Sequence, residues 1–289
     1  MTFNDNADIS SGKVSRRGRN TAIGVGGGGG LIAIAVLLFS AITGVDLTGL
    51  APSGGDNGSE EALTCTAEEA NTDDDCRVQG AAASIDDYWT EISPELGIDY
   101  VTPPVVIFDA ATNTGCGNAT SAVGPFYCPA DSTIYLDTAF YADLRSQFGA
   151  TGGPLAQMYI IAHEWGHHVQ NISGIMNGLD QQNTGPDSDS VRLELQADCF
   201  AGAWVGAAST IEDENGVTFL DPVTPQQIAD ALNAASSVGD DNIQEQTQGQ
   251  SNPESWTHGS SESRQKWFNI GYEGGPNACN TFEVDGSEL

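Results

Sequence analysis

From Leu155 to Ile172 the chain carries apolar residues at helical spacing, opened by Gly152-Gly153-Pro154 and closed by Gly174. Proline near the first turn and glycine just past the end are the boundary marks of a helix. Set into this apolar stretch are His163, Glu164 and His167. Residues four apart on a helix project from one face, so the two imidazoles stand about one turn apart, close enough to share a metal ion. Glu164 lies beside them and can reach an attacking water without ligating the metal, which is where a general base belongs. A bare pair of histidines could equally be satisfied core residues; the glutamate between them favours chemistry. His168 lies about 100° further round the helix, which suits a supporting or surface role and no place among the ligands.

A catalytic zinc needs a third protein ligand and one open position. A second helical pattern, Ser188 to about Ser209, holds Glu194 and Asp198, again four apart. Val191, Leu195, Phe200, Ala201 and Trp204 mark this helix as packed, and buried carboxylates need partners. Glu194 is the expected third ligand. Asp198 is placed to accept the ring N–H of a ligating histidine and fix its tautomer, and is the fallback ligand.

Charge divides the chain unevenly. Forty acidic against nine basic side chains give a formal net charge of -31, which repels phosphate backbones and argues against nucleic acid as a partner. Yet Lys13, Arg16, Arg17 and Arg19 crowd the first twenty positions, opposed there only by Asp5 and Asp8. Directly after them, Thr21 to Val45 carries no charge and includes Leu31-Ile-Ala-Ile-Ala-Val-Leu-Leu-Phe39. A helix of that length spans more than the roughly 30 Å hydrocarbon core. Gly26 to Gly30 weaken its first turns, and the short apolar part also fits a cleaved signal peptide, so a retained anchor and a signal both remain open. Either way, the excess of arginine before the run places the N-terminus in the cytoplasm and everything after Val45 outside.

Cysteine usage agrees with an oxidising compartment. Cys65, Cys76, Cys116, Cys128, Cys199 and Cys279 are even in number, with no CxxC pair. Spacing suggests two local loops, Cys65 with Cys76 and Cys116 with Cys128, leaving Cys199 and Cys279 for a long-range bridge; buried free thiols are the alternative.

Asp46 to about Gly80 is rich in Gly, Ser, Asp, Glu and Thr and reads as a solvated stalk, with Asp73-Asp74-Asp75 as an acidic surface run. Ala81 to Leu96 follows a helical period; Pro104 to Phe108 and Thr133 to Leu136 are short, β-branched and aromatic, and read as strands. Thr224-Pro-Gln-Gln227 is a capping box opening another helix, and a last one runs from Ser261 towards Tyr272. Strands followed by helices indicate an α+β domain.

The segments His163-Glu-Trp-Gly-His-His-Val-Gln170 and Val191-Arg-Leu-Glu-Leu-Gln-Ala-Asp-Cys-Phe-Ala-Gly202 together resemble a bacterial family of neutral zinc metallopeptidases, membrane-anchored members of the zincin superfamily. Gly44-Val-Asp-Leu-Thr-Gly-Leu50, Gly124-Pro-Phe-Tyr-Cys-Pro129 and Thr257-His-Gly259 resemble it too, so the likeness runs from about residue 31 to 283. Charge and composition divide the chain into a basic cytoplasmic stub (1–20), a single transmembrane helix (21–45) and an acidic stalk (46–80), and the resemblance implies a zincin-like catalytic domain (81–289) behind them. It further implies one Zn²⁺ held by His163, His167 and Glu194, hydrolysis of peptide bonds with Glu164 as general base, and peptide or protein substrates. His258 is a candidate donor to the oxyanion, with Tyr127 and Tyr135 behind it. Ile134-Tyr-Leu136 is the expected strand edge for an extended substrate. A zincin fold that only binds, and a hydrolase of a non-peptide amide such as a cell-wall crosslink, share these residues and stand as alternatives.

Overall fold

The computed structural model describes residues 3–18, 60–147 and 150–289. In chain order the strands are β1 (Val14–Arg17), β2 (Glu60–Ala62), β3 (Val105–Ile107), the hairpin β4 (Ala111–Thr114) and β5 (Gly117–Thr120), β6 (Phe126–Cys128) and β7 (Thr133–Leu136). Five of them form one mixed sheet in the order β2-β1-β3-β7-β6. Its three central strands are parallel, and β2 and β6 run antiparallel at the edges. Side chains alternate across a strand. Val105, Ile107, Ile134 and Leu136 therefore enter the main core, while Val106, Phe108, Cys128 and Tyr135 form a smaller cluster on the other face.

The helices are α1 (Ala67–Ala70), α2 (Asp74–Ile92), α3 (Phe140–Gln147), α4 (Pro154–Ile172), α5 (Asp189–Ala207), α6 (Pro225–Ser237), α7 (Asp240–Gln248) and α8 (Ser261–Gly274). Their starts are capped as the sequence suggests. Ser188 accepts the Val191 N–H, Thr224 and Gln227 close a capping box, and Ser260 accepts the Ser263 N–H. Helices α5 and α8 cross in close contact, because a Cβ on Gly271 would overlap the Cys199 carbonyl. The three disulfides are Cys65–Cys76, Cys116–Cys128 and Cys199–Cys279, the pairs that spacing suggests.

Four expectations are corrected. Residues 3–17 are no separate stub: Phe3, Ile9 and Val14 are buried in the main core, contributing roughly 1.5–3 kcal/mol each, and β1 lies between β2 and β3. Residues 60–80 are no stalk but carry β2, α1 and the start of α2. The acidic run is structural, since Asp73 caps α2 through the Cys76 N–H and Asp75 pairs with Arg16, so this helix begins well before Ala81. Finally, β7 is an interior strand and β6 is the edge. The expected anchor at 21–45 lies outside the described residues; among those described, no helix is long and apolar enough to cross a membrane.

Candidate active site

Helix α4 carries His163 and His167 on the face turned to α5, with Glu164 beside them. Gly166 makes the approach of the two helices possible, because a Cβ there would come within 3.0 Å of the Ala197 Cα. One turn before Ala197, Glu194 then reaches both rings. Its Oε2 lies 3.2 Å from His163 Nε2 and its Oε1 3.4 Å from His167 Nε2.

The remaining ring nitrogens are held from behind. His163 Nδ1 donates to Asp198 Oδ1 at 2.8 Å. His167 Nδ1 faces Gln170 Oε1 at 2.9 Å, and the Gln170 amide nitrogen donates to the Leu193 carbonyl and to Gln196 Oε1. With both amide hydrogens used, the Gln170 oxygen is an acceptor and His167 Nδ1 bears a proton. Both Nε2 atoms are thus presented to Glu194.

Asp198 is fully buried and does not face the cleft. Arg264 donates to both its oxygens, at 2.8 and 3.0 Å, and the Tyr159 hydroxyl donates to Oδ1. Burial alone would raise the Asp198 pKa, but Arg264 and His163 hold it below the ordinary carboxylate value. Its place behind His163 removes it from the ligand set.

Electrostatics in the cluster favour a cation. Burial disfavours charge on His163, yet Asp198 and Glu194 outweigh it and carry the ring pKa up to about 10. Burial likewise opposes charge on Glu194, but His167 and His258, with hydrogen bonds from His163 and His167, keep it well below the usual carboxylate range. The donor set suits zinc in its chemistry as well, with two imidazoles and one carboxylate, each carboxylate oxygen lying beside one ring at 3.2 and 3.4 Å. All three donor atoms lie within 4.8 Å of one another.

Glu164 is buried beside them, and burial pushes its carboxyl pKa up while His163 and His167 pull the other way. The Tyr127 N–H on β6 donates to it. Tyr127 lies opposite Ile134 of β7, yet its N–H turns out from the sheet to Glu164, and the positions two before and two after it, Pro125 and Pro129, have no N–H. The edge therefore offers carbonyls and no spare donor to an extended chain.

His258 lines the same cleft from the loop before α8. One oxygen of Asp240 accepts the N–H groups of Thr257, His258 and Gly259 at 2.7, 2.6 and 3.0 Å, while His258 Nδ1 lies 2.9 Å from Thr257 Oγ1 and 3.4 Å from the other Asp240 oxygen. With Nδ1 engaged, Nε2 is the ring nitrogen left for a ligand. His168 is buried, donating to the Val101 carbonyl at 2.7 Å and facing the Tyr127 hydroxyl at 3.2 Å, so it braces β6. Tyr127 lines the cleft, but its hydroxyl is occupied by His168 and Asn171. Tyr135 belongs to the cluster on the far face of the sheet and bonds Asp131, which removes it as an oxyanion donor.

Four participants escaped sequence reasoning: Gln170, Tyr159, Arg264 and Asp240. Gln170 had a signal in its position, three residues after His167 on the same face. The other three look like ordinary polar positions until the helices are packed.

The sequence profile of the family described as "Putative neutral zinc metallopeptidase" matches residues 3–282. The chain belongs to this family. Uncharacterized protein Rv2575 of Mycobacterium tuberculosis H37Rv is 49% identical over 221 residues, covering 76% of this chain and 74% of that one. Uncharacterized protein YpfJ of Escherichia coli K12 is 41% identical over 263 residues, covering 89% and 87%. No solved structure matches the chain. The family match begins at residue 3, well before the likeness read from motifs alone, and so includes β1.

Proposed function

We propose that the chain is a zinc-dependent peptidase with a zincin-like catalytic domain, one Zn²⁺ being held by His163, His167 and Glu194. The observation that carries this reading is the convergence of two histidine Nε2 atoms on the two oxygens of Glu194, with both Nδ1 atoms held from behind. Zinc in that position supplies Lewis-acid activation of water and of the scissile carbonyl. Glu164 takes the proton of the attacking water and returns it to the leaving amine, and its burial tunes it towards that exchange. His258, oriented by Asp240, donates from Nε2 to the oxyanion.

The cleft, of about 420 Å³, has apolar walls from Phe126, Phe140, Ile160, Val238 and Ile243. That lining supports a preference for a bulky apolar side chain next to the cleaved bond. Three disulfides with no free cysteine, together with the uncharged run between β1 and β2 in the sequence, support a location on the outer side of a membrane.

Cleavage of a peptide library by the zinc-loaded protein, with and without a chelator, tests the reading. Glu164→Gln should keep its zinc and lose about 10²–10⁴-fold in turnover, whereas Glu194→Ala should lose zinc. Undiminished cleavage by Glu164→Gln would defeat the mechanism, and full zinc content in Glu194→Ala would remove that ligand.

A further inference from the structure

The uncharged run of residues 21–45 is flanked by two strands that pair with each other. Arg17, at the end of β1, lies opposite Glu60, at the start of β2, and the two side chains form an ion pair at 2.7 Å. Both flanks of the run thus belong to neighbouring positions at one corner of the folded domain. A chain that crossed a bilayer once between them would have to pull β1 out of the sheet.

Much holds β1 where it is. Among the described residues it is the only link between β2 and the rest of the sheet, and it pairs with β3 from Val14 opposite Val105 to Arg16 opposite Ile107. Upstream, the Phe3 N–H donates to Asn71, the Asn4 N–H donates to the Phe219 carbonyl, and Phe3 packs over Gly80. Two of the four basic residues whose charge argues for a cytoplasmic N-terminus, Arg16 and Arg17, are paired inside the domain. Arg16 pairs with Asp75 and Asp109; Arg17 bonds Glu60, Thr112 and the Asn113 carbonyl and stacks over Tyr135 with 5.3 Å to the ring centroid. Both side chains are thus committed to carboxylates of the folded domain.

We propose that this protein meets the lipid bilayer from one side only. The N-terminus and the active-site cleft share that side, and the corner where β1 ends and β2 begins faces the bilayer. This deepens the membrane location proposed above and is independent of catalysis.

The test uses the full chain in bacterial cells, with a short epitope tag at the N-terminus. Protease added to spheroplasts should remove the tag and digest the domain, while a cytoplasmic control protein survives, and the undigested chain should stay with membranes through a high-salt wash. In a second form, Ser15→Cys with Ala62→Cys, opposite each other in β1 and β2, should form a cross-link in the membrane fraction, read by non-reducing peptide mapping. A protected tag beside a digested domain overturns the proposal, as does a mature chain that has lost residues 3–17, or release of the intact chain by salt. Protection of both tag and domain would uphold the shared side and instead refute the outer location. Loss of peptidase activity in Glu164→Gln leaves all these readouts unchanged, so the two readings fail separately.

Discussion

Gln170 stands three residues beyond His167 on the same helix and turns its side-chain oxygen back to that histidine's Nδ1 at 2.9 Å. Two further bonds, to the Leu193 carbonyl and to Gln196, fix the amide from α5. One side chain thereby aligns a candidate ligand on α4 with the helix that supplies Glu194. Gln170→Ala should keep the fold and weaken zinc binding about 10- to 100-fold, the usual cost of losing such a support. Competition against a chelator of known affinity measures it, and unchanged affinity would show that His167 needs no such brace.

Asp240 gathers three consecutive N–H groups under His258. If the ring donates to the oxyanion, His258→Ala should lower kcat about 100- to 1000-fold while zinc content stays near one per chain. Asp240→Asn keeps the shape of the acceptor but cannot accept so many donors, so its loss should fall mainly in kcat as the loop loosens. A His258→Ala protein with lowered zinc content would instead make this histidine a ligand.

The Cys199–Cys279 bridge joins α5, five residues after Glu194, to the C-terminal segment across 80 residues of chain. Its removal as a Cys199→Ala, Cys279→Ala double variant should lower stability by roughly 4–5 kcal/mol in the chain-entropy model. Urea unfolding would read this as a lower midpoint. Because Arg192 and Gln196 also bond the same C-terminal segment, zinc affinity should drop as well.

Asp87 supplies a dependence on pH away from the active site. Burial first, then Asp86, Glu214 and Asp213, push its carboxyl up to about 6. A carboxyl whose folded pKa exceeds its unfolded value stabilises fully below about pH 4, and that contribution is lost as pH rises towards 6. Asp87→Asn should therefore raise the melting temperature at pH 8 and leave it nearly unchanged at pH 4. An equal shift at both pH values would mean that charge is not the cause.

The features legible in sequence were those with local signals. The His163–His167 helix, the Thr224 capping box and the loop-closing cysteines each announce themselves within a dozen or so residues. Glu194 was legible because it sits in an apolar helix that must find a partner for it. By contrast, Val14-Ser-Arg-Arg17 reads as a basic flank, since the acids that make it a strand, Glu60, Asp75 and Asp109, come from far along the chain. Arg264 lies within Ser-Glu-Ser-Arg-Gln-Lys, a pattern of surface helix, and only the buried charge of Asp198 draws it inside. The edge position of β6 is likewise a property of strand order, which no stretch of residues encodes alone.

Strand β1 leaves the ribosome long before its partner, since Val14 pairs with Val105 about 90 residues later in the chain. At synthesis rates of roughly 5–20 residues per second, the leading segment waits for some 5–20 s before its place in the sheet exists. Contacts so distant along the chain also slow folding once synthesis is complete. For that interval Phe3, Ile9 and Val14 travel uncovered, so this protein's dependence on chaperones should be concentrated at its extreme N-terminus, and the last large gain in rigidity should come when that end is drawn in.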